Sequence, residues 1–212
     1  MEMKKLLLVI FIISSTVFAQ RNASAIKLGV FSPSASESGF IIGYEWGRYI
    51  DEALNIGWSL DWYNKSYTDE KLVGQYEEFY GIHGSINELR AKTTVHDFPL
   101  MFNITGKIPT APRTQVFITG GIGGELLIIN YRQYDNPDES KTKCAVDFSW
   151  RIGAGMLYEL GRRSDVFFEL DYHSSKPSWE YEVRGNDGRK RILEREYDMS
   201  GLMCRVGVRF YY

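Results

Sequence analysis

The sequence is poor in the residues that usually build a metal or redox centre. It has two cysteines and three histidines in 212 residues, at spacings that assemble no zinc-type ligand set. Its six prolines mark no linker, and there is no low-complexity stretch or internal repeat, so one domain is expected. The formal net charge of −2 excludes the basic footprint that nucleic acid calls for. Helical periodicity is missing. Beyond the N-terminus, nothing approaches the roughly 18 consecutive apolar residues of a membrane-spanning helix. What the chain does have is aromatic residues, 15 % of the total with 14 tyrosines. That richness suits strands and membrane-interface belts.

The first 19 residues read as a secretory signal. Lys4 and Lys5 precede an apolar run, Leu6 to Ile13, and Val17-Phe18-Ala19 places small residues for cleavage before Gln20. A second possible site follows Ala23-Ser24-Ala25. No cysteine follows the apolar run, which argues against a lipoprotein. The exported domain is then 20–212. Cys144 and Cys204 fall on strands that are not neighbours, so free thiols are expected.

The exported part has a rhythm. Strand-like segments alternate between short turns (Asp51 to Ala53, Pro109 to Arg113, Gly161 to Asp165) and long polar connections (Ser32 to Ser38, Thr68 to Lys92, Arg132 to Lys143, Ser174 to Ser200). Eight segments alternate with period two: Ala25 to Phe31, Phe40 to Ile50, Leu54 to Tyr67, Val95 to Lys107, Gln115 to Tyr131, Ala145 to Leu160, Val166 to His173 and Gly201 to Tyr212. Several exceed the five or six residues of ordinary strands and match the length a tilted strand needs to cross a bilayer. Pro99 removes one ladder donor from the fourth, as at a rim or bulge. The pattern predicts an all-β fold, an eight-stranded antiparallel up-and-down transmembrane β-barrel with both chain ends on the short-turn rim.

Orientation decides the class. A soluble lipocalin-like binder would turn the apolar face inward, whereas a membrane barrel turns it outward. The polar face carries charge in mid-strand: Lys27, Glu45, Asp61, Glu125, Arg151, Glu169, Arg205 and Arg209, four of each sign. Inside a narrow barrel these must pair. Heights counted from the short turns suggest Glu125 with Arg151, Lys27 with Glu45, and Glu169 with Arg205 and Arg209. Glycines on the same face (43, 47, 57, 121, 123, 153 and 207) would leave room for Arg and Tyr. The aromatic C-terminal strand and Trp46, Trp62, Tyr158 and Tyr172 near strand ends fit interfacial girdles.

With those features, the chain resembles the eight-stranded outer-membrane barrels of the OmpA transmembrane-domain and OmpX type, over nearly all of Ala25 to Tyr212. The carrying segments are His96-Asp97-Phe98-Pro99-Leu100, and Gly153-Ala154-Gly155-Met156-Leu157-Tyr158-Glu159-Leu160 leading into Phe167-Phe168-Glu169-Leu170-Asp171-Tyr172. The chain ends in Tyr-Tyr where that family usually ends in Phe. No peptidoglycan-binding domain follows, so wall tethering is not expected. The resemblance implies residence in the outer membrane of a Gram-negative-type bacterium among lipopolysaccharide and other lipids. It also implies a monomer without cofactor or metal, and a structural, adhesion or surface-interaction role through 68–92 and 174–200.

Few residues suggest chemistry. His83 sits between Gly81 and Gly84 without a ligand partner, and His96 reads as a polar rim residue. Gly120-Gly121-Ile122-Gly123-Gly124 lacks the Lys-Ser/Thr of a phosphate loop. Arg184 to Arg195 reads as a solvated loop that could instead meet lipopolysaccharide phosphates or a host surface. His173 and Ser175 share a strand face, so the imidazole could activate the hydroxyl, with Asp171 or Glu182 orienting it. Outer-membrane lipid A deacylases are similar eight-stranded barrels with a His-x-Ser pair. Here Lys176-Pro177 follows Ser175, and strand parity turns His173 toward the lumen. The leading expectation is a barrel that is not an enzyme, its lumen filled by side chains.

Overall fold

The computed structural model describes residues 22–68, 92–132, 140–184 and 190–212. Among the described residues ten strands follow one another: β1 (Asn22–Pro33), β2 (Gly39–Tyr49), β3 (Leu54–Thr68), β4 (Lys92–Ala111), β5 (Thr114–Arg132), β6 (Ser140–Gly161), β7 (Ser164–Ser174), β8 (Ser178–Arg184), β9 (Lys190–Glu196) and β10 (Gly201–Tyr211). Eight of them close an antiparallel barrel in the order β1-β10-β7-β6-β5-β4-β3-β2. Each strand pairs with its neighbour in that order, and β10 returns to β1 from Ala23↔Tyr211 to Pro33↔Gly201. No backbone edge is left between first and last strand over that ladder. Paired hydrogen bonds between Asn22 and Tyr212, 3.0 Å each, finish the seam at the short-turn rim.

Local chemistry sets the turns. Asp51 Oδ1 accepts hydrogen bonds from the backbone N–H groups of Ala53 and Leu54 at 2.8 and 2.7 Å, which fixes the β2–β3 turn by an Asx-type contact. Between β4 and β5, Arg113 takes a φ of 63°, an unusual conformation for a side chain with a Cβ. Pro99 lies inside β4, not at its rim. The β3–β4 register runs to Leu60↔Leu100 and resumes at Tyr63↔Asp97, so the ladder lapses where proline has no N–H to give.

The final long connection departs from its reading as a loop. It contains the β8–β9 hairpin, paired from Ser178↔Glu196 to Arg184↔Lys190. Trp179, Tyr181 and Val183 alternate with Glu180, Glu182 and Arg184 along the β8 sequence. Interleaved charges mask that alternation in the sequence. Strand heights also differ: β4, β5 and β6 have 20, 19 and 22 residues, against 12, 11, 11 and 11 in β1, β2, β7 and β10.

The two faces of the wall are opposite in character. Ile26, Trp58, Leu60, Ile122, Ile152 and Phe168 point outward and are about half exposed or more in most cases, with Val146 at 73 %. Charged side chains point inward. All eight of Lys27, Glu45, Asp61, Glu125, Arg151, Glu169, Arg205 and Arg209 are buried in the lumen. Cys144 and Cys204 are free thiols on the outer face. Among the described residues no helix is long and apolar enough to cross a membrane, a statement that leaves strands untouched.

Candidate functional site

The lumen is where this chain concentrates its polar chemistry. From the short-turn rim upward, Lys107 Nζ donates to the Tyr211 hydroxyl at 2.7 Å and lies 4.4 Å from the centre of the Tyr49 ring. Tyr211 also donates to Asp165. Above them, Arg209 donates to Glu45 at 3.2 Å and to Tyr49 at 3.3 Å, with its guanidinium 5.0 Å from the Phe167 ring centre. Phe117, Leu157, Phe167 and Ala25 form a small apolar layer at this height.

The centre is a branched ion network. Lys27 Nζ lies 2.6 Å from Glu45 and 2.9 Å from Glu169. Arg205 reaches three acids from three directions: Asp61 at 3.0 Å, Glu169 at 3.2 Å and Asp171 at 2.7 Å. Arg151 meets Asp61 at 2.7 Å, an ionic contact outside good hydrogen-bond direction. Burial this deep makes each charge dependent on its partners. Two glycines make room for the acids around Arg205. A Cβ at Gly43 would overlap Asp61 Oδ1, and one at Gly153 would overlap Asp171 Oδ1. These glycines therefore admit carboxylates, where Arg and Tyr were expected.

The structure brings together Lys27 with Glu45, and Glu169 with Arg205. It does not bring Glu125 to Arg151. In the β5–β6 ladder Glu125 faces Asp147, and Arg151 faces Gly121 four residues lower. Glu125 Oε2 instead meets His173 Nε2 at 2.5 Å, and Arg151 reaches across the lumen to β3. Arg209 likewise turns to Glu45. Height counted along the chain ignores the stagger of a closed barrel, which is why these pairings differ.

Among the described residues, four buried charged positions lie beyond the eight read from sequence, Asp97, Lys107, Asp165 and Asp171, and His173 joins them where strand parity turns it. Strand parity was the available signal, since Asp171 and His173 follow Glu169 at steps of two. With them, buried Asp and Glu among the described residues number seven (Glu45, Asp61, Asp97, Glu125, Asp165, Glu169, Asp171) against five Lys and Arg (Lys27, Lys107, Arg151, Arg205, Arg209). The four-to-four balance is thereby replaced by an acidic excess. Part of that excess sits high in the lumen, where neither oxygen of the fully buried Asp97 has a hydrogen-bond partner.

Above the ions lies an apolar stopper. Phe31, Ile41, Tyr63, Val95, Leu127 and Met203 from the wall pack with Tyr197 and Met199 from the last connection, and Trp179 leans against them. Tyr197 and Tyr67 touch through their hydroxyls. The stretch before β10 is thus folded into the barrel mouth. Met199 N–H donates to Ser175 O at 3.0 Å and Tyr197 N–H to Pro177 O at 2.9 Å, which ties it down.

The His-x-Ser pair is part of this interior. His173 and Ser175 both face the lumen and are buried. Ser175 Oγ and His173 Nδ1 have no hydrogen-bond partner, so the two side chains are not coupled. Asp171 is engaged by Arg205 rather than by His173. The Glu182 side chain, His83, residues 69–91 and the signal segment lie outside the described residues. His96 is outward near the long-loop rim, 2.9 Å from the Asn64 amide nitrogen and stacked beside Trp62. No group of three potential metal ligands occurs among the described residues.

Comparison with solved structures places this architecture. A Neisserial surface protein A is similar over 91 % of this chain and 97 % of its own, at 9 % identity and a TM-score of 0.57. A major outer membrane protein from Thermus thermophilus matches over 92 % and 100 %, at 11 % identity and 0.63. The outer membrane protein OprG from Pseudomonas aeruginosa matches over 91 % and 95 %, at 10 % and 0.52. No family model matches the sequence, and no curated protein is similar enough in sequence to register. At such identities the likeness establishes the fold. The chain has the eight-stranded barrel fold of outer-membrane proteins of the OmpA and OmpX type.

Proposed function

We propose that this chain is an integral barrel of the outer membrane of a Gram-negative-type bacterium, monomeric and not an enzyme, which anchors a surface for interaction at its long-loop rim. The carrying observation is the inversion of faces: leucine, isoleucine and tryptophan outside, ionisable side chains inside. Water would penalise that outer face, and hydrocarbon would penalise any charge on it. A lipocalin-like binder would line its cavity with the side chains found here on the exterior.

The lumen supports an anchor more than a pore. Ion pairs fill its middle and the Tyr197–Met199 stretch fills its mouth, so little solute flux is expected. Interaction then falls to 68–92 and 174–200, with outer-membrane lipids, lipopolysaccharide, or a host or cell-surface partner as candidates. Lipid A hydrolysis is disfavoured, because His173 and Ser175 point away from lipid. The test is membrane fractionation followed by electrophoresis with and without heating. Detergent-dependent extraction and a heat-sensitive shift in migration are expected; release as a water-soluble protein would overturn the reading. Mass spectrometry of lipid A from cells with and without the protein should show no change.

A further inference from the structure

The outer wall is not a uniform cylinder. Across β6, β7, β10 and β1, near the short-turn rim, it sinks into a groove of about 780 Å³. Val166 and Val208 are opposite each other in the β7–β10 register and, as small side chains, floor it. Met156, Tyr158, Phe168 and Phe210 rise around them as larger walls. Apart from Thr114 the groove's outward lining is apolar, and it begins two residues above the β6–β7 turn.

The charge of the adjoining rim is uneven. The β6–β7 turn carries Arg162 and Arg163, and the neighbouring β4–β5 turn carries Arg113. All three are exposed. Each turn is tied by backbone to a neighbouring strand: Glu159 N–H of β6 donates to Arg113 O at 2.8 Å, and Tyr211 N–H of β10 to Arg163 O at 3.0 Å. No side-chain ion pair holds these guanidinium groups among the described residues. Across the barrel, the β2–β3 turn is acidic, with Asp51 and Glu52. A largely apolar trough that fits a hydrocarbon chain therefore ends beside three exposed arginines, while the opposite turn carries Asp51 and Glu52 with the exposed Arg48 on the strand before it.

We infer that this groove and arginine cluster form a binding site for an anionic phospholipid, with an acyl chain along Val166 and Val208 and the phosphate at Arg113, Arg162 and Arg163. The inference rests on the membrane-embedded reading above. Hydrocarbon seats in the groove by area burial, and the guanidinium fork suits phosphate oxygens. The site commits to a lipid, because a free phosphate would leave the trough empty.

The test uses the full-length barrel in nanodiscs of equal phosphatidylglycerol and phosphatidylcholine, with native mass spectrometry of the lipid retained on release. The parent should keep phosphatidylglycerol over phosphatidylcholine by about fivefold or more, the scale of one arginine near a charged bilayer surface. The triple variant R113Q/R162Q/R163Q should retain the two lipids equally. Val208→Trp, which fills the trough, should lower retention of both; Val166→Phe serves if that variant fails to fold. Asp51→Asn with Glu52→Gln, on the opposite rim, should change nothing. Equal retention by the parent, or a preference that survives the triple variant, would overturn the site. A heat-sensitive gel shift checks folding in every sample. A protein that stays in water without detergent defeats the membrane reading itself; one that folds in bilayers without lipid preference defeats only this inference.

Discussion

Met203 and Arg205 sit two residues apart on β10, face the same lumen, and are almost wholly removed from solvent. They belong to different kinds of core. Around Arg205 the packing is a lattice of opposite charges, in which each member matters because the others would be stranded without it. Around Met203 the packing is apolar, and part of it is supplied by Tyr197 and Met199, which belong to no barrel strand. One half of the lumen is therefore specified by partners across the barrel, the other by a connection folded in from above.

Substitutions can separate the halves. Arg205→Met should have the largest effect, a loss of about 3–5 kcal/mol, because Asp61, Glu169 and Asp171 lose a common cation; urea unfolding in lipid vesicles measures it. Met203→Ala should cost about 3 kcal/mol by leaving a void in the stopper, with faster protease cleavage near Tyr197 as its local signature. Glu125→Ala should cost about 2 kcal/mol by stranding the His173 ring. A double-mutant cycle sharpens that case: Glu125 should couple more strongly to His173, its hydrogen-bond partner, than to Arg151. Tyr197→Phe should be mildest, about 1 kcal/mol, from loss of the hydroxyl contact with Tyr67. Should Met203→Ala and Arg205→Met unfold the barrel with the same loss at every probe, the division into two cores would fail.

The fold was legible because a strand's two faces are written in alternate residues. Ile26, Leu28 and Val30 against Lys27 and Gly29 need no distant information to be sorted. Partners across the lumen do. Glu125 and Arg151 lie on adjacent strands with matching apparent heights, yet stagger separates them by four positions, and arginine is long enough to choose a partner across the lumen. The apolar stopper was hidden for a related reason. Tyr197 and Met199 lie outside any alternating segment, and nothing in Tyr197-Asp198-Met199-Ser200 signals that it folds inward. The hairpin was readable in principle from Trp179, Tyr181 and Val183, but the charges between them resemble a solvated loop.

The unequal strands give the molecule a front and a back. β6 continues for ten residues, Ser140 to Ser149, beyond Trp150, its last partner opposite β7. That is about 33 Å along the strand. Seen from the long-loop side, the wall from β3 to β6 stands like the back of a chair, while β7, β10, β1 and β2 form a low seat edge. A partner docking at this rim, as we propose, would meet the tall strands broadside from one direction only.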